Sequence, residues 1–138
     1  MTGSKDEMNE GTGHVPDRIW LENTAREEVQ DVLSNLPPEI KGHAEKIPVI
    51  LEERPNESLI RDGVDRDTLG LFIGNAYPDE ESSTGELPAQ ILLLMGNIWD
   101  YARHEAGLYR MEVRRTYLHE IGHYLGLDED DMATRDLD

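Results

Sequence analysis

The sequence predicts an α+β fold, and three observations carry that prediction. Apolar residues recur at helical spacing early in the chain, three short apolar or β-branched runs follow, and a long amphipathic stretch comes last. With 138 residues, 37% of them apolar, there is material for one small core rather than two.

Residues 1–15 are rich in Gly, Ser, Thr and acids, with almost nothing to bury. We expect them to form a disordered acidic tail ahead of a folded domain over 16–138. From Trp20 the set Leu21, Val29, Val32, Leu33 and Leu36 predicts a first helix over about 17–36, stopped by Pro37 and Pro38. The run Ile47–Glu53, closed by Pro55, reads as a first strand, and Leu69–Gly74 as a second whose glycines let a backbone come close. An acidic loop over Pro78–Pro88 precedes the apolar run Gln90–Met95, a third strand, although periodicity alone also allows a buried helix. Asn97 is expected to cap a helix reaching about Glu105, with Gly107 as the break. A final helix then spans about Leu108–Leu125, and Gly126 stops it.

A formal net charge of −17 repels nucleic acid phosphates and anionic membrane surfaces, so neither is an expected partner. A basic or neutral partner fits better. There is no cysteine, so a metal could be held only by His, Asp or Glu. The N-terminus has no apolar signal-peptide core, and no run is long enough to span a bilayer. The expectation is a soluble cytoplasmic protein.

Chemistry concentrates in HEIGHYLGLDEDDM, His119–Met132. On a helix at about 100° per residue, His119 and His123 lie about 40° apart, so both imidazoles can meet one ion. Glu120 falls beside them, placed to act on a metal-bound water rather than to ligate, with Glu112 and Thr116 on the same side as supporting groups. Met111, Val113, Tyr117, Leu118, Ile121, Tyr124 and Leu125 make the arc expected to be buried. Gly122, costly in a helix interior, predicts close packing there.

A catalytic zinc site takes three protein ligands. The acidic run after Gly126 is the nearest source of the third, and Glu129 is favoured over Asp130 and Asp128. Asp128 with Asp131 also reads as an ordinary helix cap, a role that needs no metal and is compatible with ligation by Glu129.

At these residues the sequence resembles the small bacterial zincin-like metallopeptidases, whose motif is HExxHxxGxxD. His119, Glu120, His123 and Gly126 match it, and Glu129 stands where the family has Asp. The segments IPVILEERP, LGLFIGNA and ILLLMGNIWDYA also look like the family's, so the similarity covers most of 16–132. The resemblance implies a minimal zincin fold, with a small mixed sheet packed against helices that include the HExxH helix. It also implies Zn2+ and hydrolysis of a peptide or protein substrate. Met132 follows too soon to form a separate Met-turn of the metzincin kind.

Two functional expectations follow. In the first the protein is a zinc metallopeptidase with Glu120 as general base. In the second it is a catalytically weak or inactive scaffold that binds a protein partner around a structural metal. Of the remaining features, Arg103, Arg110, Arg114 and Arg115 are expected to pair with Glu105 and Glu112 rather than with substrate. Tyr117 and Tyr124 are expected in the core, and His43 and His104 at the surface, His104 being an outside candidate for metal. The strand at 69–73 is either an edge that accepts a peptide or a core strand.

Overall fold

Asp17 opens the first helix, α1 (Arg18–Ser34), by accepting the Trp20 N–H at 3.0 Å. The computed structural model describes residues 17–74 and 89–126. The segment 1–15, the loop Pro78–Pro88 and the acidic run Asp128–Asp131 lie outside the described residues. Along α1 the buried residues Leu21, Ala25, Val29 and Val32 form one stripe, as the spacing predicts.

Next comes α2 (Pro38–Ala44), a short helix the sequence reading did not anticipate. α1 ends at Ser34, and Pro38 begins the next helix, because a proline at a first helical position lacks only an N–H that would have no partner there. After β1 (Val49–Glu52) there is a second unanticipated helix, α3 (Glu57–Arg61), capped by Asn56 through the Leu59 N–H at 2.8 Å. Five residues with none buried leave no hydrophobic period to read.

The strands β2 (Gly70–Ile73) and β3 (Gln90–Leu94) complete a three-stranded sheet of order β1-β3-β2. β1 runs parallel to β3, with Val49 opposite Ile91, while β2 runs antiparallel, with Gly70 opposite Leu93. The sheet is therefore mixed. Central β3 is buried on both faces from Ile91 to Leu94, which is why its sequence shows an unbroken apolar run rather than alternation.

β3 passes without a loop into α4 (Met95–Tyr101), and α5 (Ala106–Leu125) follows. Two expectations are corrected here. Asn97 does not cap α4; the helix already starts at Met95, and Asn97 is buried inside it. Nor does Gly107 make the break. The chain turns at Arg103 and His104, both left-handed with φ of 59° and 61°, and Gly107 lies within α5. The turn is held by the His104 N–H donating to the Trp99 carbonyl at 3.0 Å and by the His104 ring stacked on Trp99 at 5.4 Å.

α5 packs against α1, α4, β2 and β3 and buries Tyr109, Val113, Tyr117, Ile121 and Tyr124. The Tyr109 hydroxyl donates to the Leu21 carbonyl at 2.9 Å, tying α5 to α1. Met111, expected in the buried arc, is 45% exposed, since the neighbouring elements cover the arc through Val113 and Tyr117 and leave it outside. The arginine pairing differs as well. Arg110 and Arg114 reach across to Glu27, Glu28 and Asp31 on α1 at 2.7–3.2 Å. Packing of the two helices supplied partners that spacing along one helix could not reveal. Among the described residues no helix is long and apolar enough to cross a membrane.

Candidate metal centre

The last two turns of α5 carry His119, Glu120 and His123, and Gly126 ends them in the left-handed conformation at φ 74°. Its N–H meets the carbonyls of Gly122 and His123, so the final turn closes on itself before the acidic run begins. Gly122, between the two histidines, is buried.

The two imidazoles stand one turn apart, with ring centroids separated by 5.6 Å and planes at 83°. His119 is half-buried, and the His123 side chain is 53% exposed. Glu120 lies between them in sequence but is buried, at 7% exposure. Its Oε1 lies 3.1 Å from Nδ1 of His123. When Glu120 is ionised that nitrogen must carry the hydrogen, which leaves Nε2 as the acceptor of the ring.

β2 comes against Glu120. At Gly70 the strand comes so close to α5 that an added Cβ would fall 3.5 Å from the Glu120 Cγ and 2.5 Å from the Thr116 Cγ2. The close backbone approach expected from a strand glycine is found here, against Thr116 and the Cγ of Glu120. Burial pushes the Glu120 carboxyl above the ordinary carboxylate range, while His123 and His119 pull it back.

Thr116 is buried where β2 crosses the helix, and Glu112 is half-buried on α5 two turns before Glu120. Tyr117 and Tyr124 are buried. Tyr124 packs on Phe72 at 5.7 Å, and burial pushes the Tyr117 hydroxyl up to about 12. His104 belongs to another cluster, its Nε2 2.8 Å from Asp100 Oδ1, and His43 lies on α2.

The donor set suits zinc as far as it extends, because two imidazoles one helical turn apart are nitrogen ligands of the kind that ion takes. Among the described residues no third His, Asp or Glu joins them to complete a metal-holding group. Glu129, Asp128 and Asp130, the expected sources of that ligand, lie outside the described residues.

Two residues hold the approach to β2: Asn97, which the sequence reading took for a cap, and Arg54, which it did not single out. Asn97 donates to the carbonyls of Arg66 and Thr68, both at 2.8 Å, and Arg54 donates to the Asn97 Oδ1 at 2.7 Å. The available signal was an amide inside the otherwise apolar run Leu92–Trp99, which predicts burial with partners rather than a cap. The model of a protein family described as zincin-like metallopeptidase matches residues 44–138 of the chain, a span that begins at the end of α2 and includes the whole sheet and α5. No curated protein matches the sequence.

Proposed function

Since the chain belongs to the zincin-like metallopeptidase family, we propose that it is a zinc-dependent peptidase whose metal is held by His119, His123 and Glu129 and whose general base is Glu120. The observation that carries this reading is one buried carboxylate in contact with His123, on the helix that sets His119 and His123 one turn apart, with the backbone of β2 against its side chain. A solvated pair of helix histidines would not need a carboxylate buried beside it.

Zinc, when bound, supplies positive charge that makes water more acidic and the scissile carbonyl more electrophilic. Glu120 does the proton work. Its Oε1 faces His123, and the other carboxylate oxygen takes a proton from the attacking water. As the carbon–nitrogen bond breaks, Glu120 hands that proton to the departing amine, so base and acid are one group. Burial beside β2 favours this, because it keeps bulk water from competing for that proton. His119 and His123 enter as neutral ligands, and the Glu120 contact selects the His123 tautomer with Nε2 available.

Elemental analysis of the purified chain should find about one zinc per molecule, and none in His123→Ala. Glu120→Gln should keep the metal and lose hydrolysis of a mixed peptide library by about 10²–10⁴-fold. Full activity in that variant would remove Glu120 from the mechanism. A wild-type protein that binds zinc and gains thermal stability from it, yet cleaves nothing, would instead support the structural-metal scaffold.

A further inference from the structure

The strand against Glu120 is only four residues long and, among the described residues, pairs on one side alone, with β3. The chain leading into it from Gly63 has no regular structure. The Leu94 N–H donates to the Leu69 carbonyl at 2.9 Å, and the two carbonyls of the turn before Leu69 are held by Asn97. At 6% exposure its amide has both hydrogens committed, to the carbonyls of Arg66 and Thr68, and its oxygen takes a charge-assisted bond from Arg54. A buried amide so occupied has one orientation only.

Arg54 is itself anchored. Its guanidinium meets Asp100 at 2.8 Å, and Asp100 also faces His104 at 2.8 Å. The backbone before it is pressed onto the first turn of α4, where the Gly96 N–H donates to the Glu53 carbonyl at 2.9 Å and a Cβ on Gly96 would fall 2.8 Å from both that oxygen and Arg54. The exit of β1 and the entry to β2 are thus fastened to one helical turn. Two residues after Thr68 comes Gly70, against Thr116 and Glu120.

We infer that Asn97 and Arg54 are positioning residues for Glu120: they hold the turn at 66–68 so that the backbone at Gly70 stays seated against the Glu120 side chain at its Cγ. An apolar residue of similar size would take these bonds away from the Arg66 and Thr68 carbonyls and from Arg54, so Asn97 is the side chain that fixes their places. The inference rests on the proposed role of Glu120, whereas the fastening itself stands on hydrogen bonds alone.

The test uses the full, zinc-loaded chain and two variants. Asn97→Asp keeps the acceptor for Arg54 and removes both donors, and Arg54→Lys is the milder change if the first fails to fold. Three quantities are read: hydrogen exchange over 66–73, the Glu120 side-chain carboxyl carbon resonance at fixed pH, and kcat and KM on a cleaved peptide, with zinc affinity as the control. Exchange over 66–73 should quicken at least about tenfold and the Glu120 resonance should move. A misplaced catalytic group should lower kcat about 10–100-fold with KM within about twofold, and zinc affinity should hold. Faster exchange with an unmoved Glu120 resonance and unchanged kcat would make the latch purely structural and overturn the inference. If the wild type cleaves no peptide, the peptidase reading fails, and the Glu120 resonance still decides whether the latch positions that side chain.

Discussion

Gly70 and Thr116 occupy positions where no further carbon fits: a Cβ on the glycine would lie 2.5 Å from the threonine Cγ2. Gly70→Ala should therefore force β2 away from α5 and cost about 1–3 kcal/mol, read as a lower urea midpoint. Adding Thr116→Ser removes the opposing methyl and should recover most of that loss. Additive effects of the two changes would show that the contact is not the cause.

Acid should weaken the contact between α1 and α5. Burial works to raise the Glu28 carboxyl, but the Arg114 and Arg110 guanidiniums outweigh it and hold the group below its ordinary value of 4.5. A carboxylate depressed in the folded state stabilises fully above its unfolded value, and the contribution is lost as pH falls through the folded value. Wild type should exceed Glu28→Gln in denaturant midpoint at pH 7, and the gap should narrow progressively below about pH 4.5. A gap that widened on acidification would contradict the assignment.

The turn before α5 contains two left-handed residues of different standing. Arg103 is exposed at φ 59°, so Arg103→Gly should relieve backbone cost and raise stability by about 0.5 kcal/mol. His104→Gly should do the reverse. It gains the same relief but loses the ring stacked on Trp99 and the contact with Asp100. Thermal melts of the two variants should shift in opposite directions.

At the proposed metal site, Glu129→Ala should weaken zinc binding by more than the 10–100-fold expected for losing a supporting hydrogen bond, whereas Asp130→Ala should stay near wild type. Competition with a chromophoric chelator measures both. Equal losses in the two variants would deny Glu129 a special place. Removing zinc by chelation should also lower the melting temperature, because a ligand that binds only the folded state stabilises it.

Much of the architecture was legible in the sequence. The three expected strands, 47–53, 69–74 and 90–95, contain the observed Val49–Glu52, Gly70–Ile73 and Gln90–Leu94. The stop at Gly126 rests on the one residue type that adopts φ 74° without cost. These features depend on nearest neighbours or on a period within one element. The helices α2 and α3 were missed because seven and five residues are too few to display a period.

The site divides in the same way. Sequence alone set His119, Glu120 and His123 on a single helix, since their spacing is a property of that helix and of nothing else. Only the tertiary structure decided that Glu120 would be buried beside Gly70, that Asn97 would fasten residues 66–68 instead of capping α4, and that Arg110 and Arg114 would find their partners on α1. Each of these joins residues distant in the chain, 29 positions apart for Asn97 and Thr68 and 86 for Arg114 and Glu28. A local pattern shows which face of an element must be covered; which residue covers it is settled when the elements pack.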